Sequence, residues 1–359
     1  MKITAARLLP YRLPLRVEWT SAAGGFTQRD GWLLRLSTDD GHTGYGDCAP
    51  LAGAGGERLA AARSALNEMV RRLDGQRFDS ALQSLADPAG CQTPAARCAV
   101  ECALLDLLAQ AAGQPLCAYL GGSAVQRGVA VNAALGSLRR VSDQAIVASC
   151  AAGFRIVKLK VGLDTVDAEI ARLQHVAALL PPAIGLRLDA NRAWHEADAA
   201  RFLQACAGLP IEMIEEPLAE PEIGALQRLQ AICTFPLGLD ESITELLTDC
   251  ATDALLAAPP VRRLVLKPPR LGGLLPALAL ARRASAAGLQ CIVTSSIDSA
   301  CGVLAAAHLA AAIDNGLTHG LATSGWLAED TGAAPHISDG RLTLPARPGL
   351  GFAPAARFA

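Results

Sequence analysis

A chain of 359 residues, 51% of them hydrophobic, is long for one small domain and can bury a sizeable core. A net charge of -2 leaves no basic surplus for a phosphate backbone, and 4% aromatic residues offer few stacking surfaces, so a nucleic-acid binder is excluded. The 11 cysteines are odd in number and none sits in a C-x-x-C pair, which argues against a zinc or redox motif and for a reducing cytoplasm.

The first stretch, "MKITAARLLPYRLPLRVEW", is broken by charges and prolines and is no signal peptide. "WLLRLSTDDGHTGYGDCAPL" predicts a hairpin turning near Asp39, Asp40 and Gly41. Helical patterns follow at about 57–74 and 94–112, and Gly121 and Gly122 close the unit.

Beyond it, short apolar strands alternate with Ala/Leu-rich helical stretches: "GVAVNAAL", "RIVKLKV", "IGLRLDA", "IEMIEEP", "FPLGLDES", "RRLVLKP", "LQCIVTSS" and "THGLATSG". Lys160, Asp189, Glu215, Asp240, Lys267 and Ser295 mark strand C-terminal ends, at steps of 25 to 29 residues. A strand, a helix and two short loops need about that many. Eight such strands predict a parallel β/α barrel of the TIM type. A doubly wound open sheet would carry a Gly-rich fingerprint after its first strand, and none is present. The longest apolar run, "SACGVLAAAHLAAAI", is too short for a membrane span and reads as a tightly packed helix.

Within "FRIVKLKVG", alternation puts Lys158 and Lys160 on one face and Val157, Leu159 and Val161 on the other. Lysines also protect exposed edge strands, so this pair alone decides nothing. The next strand ends decide. Asp189, Glu215 and Asp240 would repel one another at a barrel mouth, and a hard divalent cation relieves that repulsion better than protonation does. Three carboxylates with room for water and substrate oxygens suit Mg²⁺. The competing reading, that each acid caps the helix after its strand, weakens when three successive strands carry one. Lys160 and Lys267 then flank the metal as acid/base groups, Lys158 keeping Lys160 partly deprotonated, with the metal and the neighbouring ammonium groups lowering the lysine pKa. The implied substrate is a carboxylate with an acidic α-carbon, whose enediolate the metal stabilises.

The ordered set "KLK" (158–160), "DANRAW" (from Asp189), "IEEP" (from Ile214), "DES" (from Asp240), "LKP" (266–268) and "SSIDS" (295–299) resembles the muconate-lactonising subgroup of the enolase superfamily over essentially the whole chain. The resemblance implies a (β/α)7β barrel, residues 123–325, with an α+β capping domain formed by residues 1–122 and completed by 326–359. It implies Asp189, Glu215 and Asp240 as ligands of Mg²⁺, with Mn²⁺ as a substitute and Glu216 as a neighbour. Lys160 and Lys267 become the catalytic pair, Lys158 and Asn191 support them, and Ser295 and Ser296 meet the substrate. Within the subgroup, "RDGWLLRL", "GYGDCAPLAGAGGE", "TSSIDSACG" and "HGLATSGWLAED" resemble the o-succinylbenzoate synthases, while Asp298 and "LAGAGGE" depart from the usual pattern. The expectation is therefore a cytoplasmic lyase of menaquinone biosynthesis that dehydrates 2-succinyl-6-hydroxy-2,4-cyclohexadiene-1-carboxylate. The alternatives are an N-acylamino acid racemase or dipeptide epimerase, and a muconate-type cycloisomerase. A non-enzymatic metal-dependent binding protein has no need of two lysine bases. The partner is a small-molecule carboxylate, with neither nucleic acid nor membrane; a homo-oligomer is compatible with the sequence. Specificity is expected in two cap loops, 19–30 and 51–57. His175 and His308 are read as surface or packing residues, Trp194 as part of a helix start, and Arg192 is left open.

Overall fold

A computed structural model describes residues 2–22, 24–51, 56–85, 91–121, 128–246 and 251–359. The chain opens with antiparallel strands β1 (Ile3–Ser21), β2 (Gly24–Thr38) and β3 (Thr43–Cys48), in that spatial order. The turn between β2 and β3 lies at Asp39 to Gly41, with Gly41 at φ 87°. β1 is absent from the sequence reading, because its prolines and charges mask the alternation. Pro10 and Pro14 are tolerated since β1 is an edge strand of the three-stranded sheet, paired along one side with β2, so a missing N–H can face outward. Of the stretch 19–30, expected as a loop, residues 19–21 and 24–30 belong to the paired strands β1 and β2, with Trp19 opposite Phe26 and Ser21 opposite Gly24, and residue 23 lies outside the described residues.

Two helices, Leu59–Leu73 and Pro94–Ala111, pack on this sheet. Pro94 starts its helix where no intrahelical N–H is required. β3 lies directly on the same helix: a Cβ at Gly46 would stand 1.9 Å from the Ala99 carbonyl oxygen, so only glycine fits.

The remaining strands are β4 (Gly128–Ser137), β5 (Ile156–Lys160), β6 (Gly185–Asp189), β7 (Ile211–Glu215), β8 (Leu237–Leu239), β9 (Arg263–Leu266), β10 (Gln290–Val293) and β11 (His319–Ala322). Neighbours from β4 to β10 pair in parallel and in chain order, and β11 pairs with β4. The seam between β10 and β11 is a single bridge, Thr294 to Gly320, with the Ser295 N–H donating to the Gly320 carbonyl at 3.2 Å. The architecture is a (β/α)7β barrel with an α+β cap. Val157, Leu159, Leu186 and Leu188 join one apolar cluster with residues of the surrounding helices. The alternate residues are polar, and Lys158 stands beside Arg187 and Lys160 beside Asp189.

Fully buried Arg187 braces the floor. It donates to Glu212 at 2.9 Å, to Asn132 Oδ1 at 3.1 Å and to the Thr318 carbonyl at 2.9 Å. After β11 the chain returns to the cap, where Leu327 bridges Leu15 and the Ala328 N–H donates to the Pro14 carbonyl at 2.8 Å. Then β12 (Ile337–Ser338) and β13 (Arg341–Thr343) form a hairpin, and β13 runs antiparallel along the start of β4. The expected boundary at 122/123 lies outside the described residues. No helix among the described residues is long and apolar enough to cross a membrane; the apolar run near 300 becomes the buried helix Ala300–Ile313.

Candidate active site

β6 and β7 end side by side with Asp189 opposite Glu215, and Asp240 follows β8 two residues past Gly238, the partner of Glu215, so that the three acids meet at the barrel mouth. Each offers a carboxylate oxygen, and the three oxygens lie within 4.8 Å of one another. All three side chains are buried. Glu215 Oε1 and Asp240 Oδ1 have no hydrogen-bond partner among the described residues. Buried carboxylate oxygens without donors are costly, and a hard cation is what would satisfy them. The donor set therefore fits Mg²⁺.

Ammonium groups meet these acids from either side. Lys158 Nζ, on β5, donates to Glu215 Oε2 at 2.5 Å and lies 2.9 Å from Asp189 Oδ2. Lys160 Nζ donates to Asp189 Oδ2 at 2.6 Å and to Asn191 Oδ1 at 2.7 Å. Lys267, just past β9, bonds Asp240 Oδ2. Burial alone would raise the Asp189 pKa, but Lys158 and Lys160 hold it far below the usual carboxylate range. Asp240 is also lowered: burial opposes its charge, and Lys267 and Arg270 outweigh burial. Glu215 moves the other way, because burial and the two neighbouring acids outweigh Lys158. Lys158 shows the reciprocal effect of the same carboxylates. Burial works against its charge, yet Asp189, Glu215 and Asp240 drive it well above the ordinary lysine value. A divalent cation among the same carboxylates opposes that attraction.

The supporting residues have distinct places. Asn191 takes a positive φ of 44°, accepts from Lys160, and donates through Nδ2 to Glu241 Oε1 at 2.7 Å. Glu216 turns away from the carboxylate cluster and accepts from the Asp240 N–H at 2.5 Å and the Ser242 N–H at 2.8 Å, which fixes the β8 end. Arg192 pairs with Glu245 and donates to the Ala219 carbonyl, outside the cavity lining. Trp194 is buried against Phe202, ring centroids 4.5 Å apart. His175 pairs with Asp143 on the surface. His308 is wholly buried, its Nδ1 accepting from the Cys117 N–H at 3.1 Å and its Nε2 lying 3.1 Å from the Leu350 carbonyl, so neither histidine reaches the site.

Above the acids lies a cavity of about 250 Å³, just under the range of about 300–1,000 Å³ usual for small-molecule sites. Ser295 and Ser296 line it, and Ser295 Oγ lies 2.5 Å from Thr323 Oγ1. The cap supplies the roof through Trp19, Phe26 and Leu51. Trp19 stacks edge-on against Trp326, centroids 4.7 Å apart, and its ring faces the Lys160 ammonium at 5.6 Å. Ile297 takes φ 59°, a left-handed conformation that is strained for a β-branched residue. Of the expected cap loop 51–57, residues 52–55 lie outside the described residues. Sequence reasoning missed Asn132, Thr294, Thr323 and Glu241. The available signal was a lone amide in the apolar strand "GVAVNAAL".

Residues 140–357 match the enolase C-terminal domain-like family, and residues 4–121 match the mandelate racemase / muconate lactonizing enzyme N-terminal domain. The hydrophobic dipeptide epimerase of Enterococcus faecalis is 30% identical over 88% of this chain and 88% of its own length. The N-succinyl-L-Arg/Lys racemase of Bacillus cereus is 27% identical over 86% of this chain and 84% of its own. The crystal structure of the E. faecalis dipeptide epimerase, complexed with Mg and the dipeptide L-Leu-L-Tyr, superposes with a TM-score of 0.89 at 27% identity, covering 98% of this chain and 100% of that one.

Proposed function

The chain belongs to the mandelate racemase / muconate lactonizing enzyme family of the enolase superfamily, and from that premise we propose that it is a Mg²⁺-dependent racemase or epimerase of N-acylated or peptidyl amino acids. The observation that carries the reading is the placement of the two lysine strands. β5 and β9 are four apart in an order of eight, so Lys160 and Lys267 face each other across the mouth. Inversion at carbon needs a proton donor or acceptor on each face, and this pair supplies one to each; a single-face elimination would use Lys160 alone as base and leave Lys267 only to stabilise the enediolate.

Asp189, Glu215 and Asp240 would hold Mg²⁺, which supplies a Lewis acid opposite the negative charge developing on the substrate carboxylate. Lys160 in its neutral form takes the α-proton of one enantiomer, and the Lys267 ammonium returns a proton to the opposite face; the other enantiomer uses them in reverse. Asn191 holds Lys160 in line, and the Trp19 ring shields it from water.

The expected dehydration to o-succinylbenzoate, and with it a place in menaquinone biosynthesis, is the weaker reading. The relatives described above are epimerases and a racemase. The half of the cavity facing the acids also offers no cation, among the described residues, for a succinyl carboxylate.

The test is incubation of the Mg²⁺-loaded protein with single enantiomers of N-acyl amino acids and dipeptides in D₂O. α-Deuteration with inversion is expected. Consumption of the cyclohexadiene precursor without any exchange would restore the dehydratase reading.

A further inference from the structure

The cavity is divided by charge. Lys158, Lys160, Asp189, Glu241 and Lys267 all stand on β5 to β9 or just past their ends. The opposite wall, from β10, β11 and β4, contributes Asn132, Ala134, Thr294, Ser295, Gly320 and Thr323, and among the described residues it carries no ionisable side chain. The roof adds none: Trp19, Ser21, Phe26, Leu51 and Ile297 are neutral. Residues 23 and 52–55, outside the described residues, are only alanine and glycine in sequence. Arg29 lies behind Ile297, its guanidinium occupied by the carbonyls of Ala49, Pro50 and Ile297.

The neutral wall is not inert. Asn132 is buried, its Oδ1 accepts from Arg187, and its Nδ2 has no partner among the described residues. Thr294 Oγ1 is likewise buried and unpartnered. The two are neighbours through Gly320, where a Cβ would stand 2.6 Å from Thr294 Cγ2 and 3.5 Å from Asn132 Oδ1. Two unused donors on the floor call for an acceptor oxygen, since buried polar groups left unpaired are costly.

Resting on the proton-transfer reading above, we infer that this chain selects substrates whose end remote from the reacting carboxylate is uncharged: an amide carbonyl received by Asn132 and Thr294, followed by a small apolar group under Trp19, Phe26 and Ile297. β7, in the middle of the acids, is four strands from β11, so a substrate held by its carboxylate at the acids extends its acyl arm towards the neutral wall. A free ammonium there, as in a dipeptide, finds no counter-ion, and neither does a second carboxylate.

The test uses three N-acyl derivatives of one amino acid: propionyl, glycyl and succinyl. Propionyl and glycyl share a shape and differ in charge. α-Proton exchange in D₂O, followed by NMR with the Mg²⁺-loaded protein, should give kcat/KM at least tenfold higher for propionyl than for either charged derivative. Thr323→Asp, which places an acid on the wall, should bring glycyl up to or above propionyl. Thr294→Val should raise KM for propionyl more than it lowers kcat. Parity among the three substrates, or a preference for a charged one, overturns the inference and leaves the proton-transfer reading standing. No exchange with any of them overturns both.

Discussion

Arg29, on the second cap strand, donates from Nε to the carbonyl of Ile297, 268 residues further along the chain and at the rim of the cavity, at 3.3 Å. The same guanidinium reaches Pro50 O at 3.1 Å and Ala49 O at 2.7 Å in the cap, and lies 3.8 Å from Asp298. One buried side chain thus joins cap to barrel and holds the strained Ile297 backbone in place.

Replacing Arg29 by Met keeps much of the volume and removes the charge. Asp298 would be left buried without its counter-charge and three carbonyls without their donor, a loss of about 3–5 kcal/mol. Denaturant unfolding should show that loss, and KM should rise more than kcat falls, because the roof shifts while the lysines stay. A variant with wild-type stability and wild-type KM would show that the clamp has no function.

The carboxylate cluster predicts a metal response visible without turnover. Mg²⁺ added to chelator-treated protein should raise Tm, since a ligand that binds only the folded state stabilises it by mass action. Asp189→Asn should lose most of that rise. An unchanged Tm on adding millimolar Mg²⁺ to the wild type would exclude a site at Asp189, Glu215 and Asp240.

The two lysines should separate by stereochemistry. Lys267→Met retains the base on one face, so one enantiomer should still exchange its α-proton, with retention, while inversion falls by roughly 10²–10⁴-fold. Lys160→Met should show the mirror pattern with the other enantiomer. Equal loss of exchange for both enantiomers in both variants would end the two-base assignment.

The barrel and its mouth were legible because a (β/α) repeat writes itself into sequence as a period, and because ionisable residues at apolar strand ends stand out. Lys160, Asp189, Glu215, Asp240 and Lys267 needed only that. β1 was not legible: prolines on an edge strand look like breaks until the missing partner is known. Nor were Asn132 and Thr294, which meet only when β4 and β10 are brought together across β11. The segments that resemble o-succinylbenzoate synthases include the hairpin and strand ends that build the frame, whereas the neutrality of the far wall is a property of several strands at once.

Asp47 gives a prediction in pH. It is buried, its Oδ1 accepts from Tyr11 Oη at 2.6 Å and its Oδ2 from the Ser299 N–H at 3.1 Å. Burial, reinforced by the nearby Asp298 charge, pushes its pKa up to about 7. In the unfolded chain an aspartate titrates near 3.9. The folded state therefore binds this proton more tightly, so the stability it contributes is complete below about pH 4 and is lost as pH rises through about 7. Asp47→Asn removes the titration while keeping the partners: its Oδ1 can accept from Ser299 and its Nδ2 can donate to Tyr11 Oη. The wild type should accordingly lose stability relative to this variant between pH 5 and 7, by about 1.4 kcal/mol per pH unit at the steepest, and the difference should level off above pH 8. Guanidinium unfolding of both proteins at pH 5, 6, 7 and 8 measures it directly. A difference that stays constant across that range would mean Asp47 is already ionised in the folded protein at pH 5.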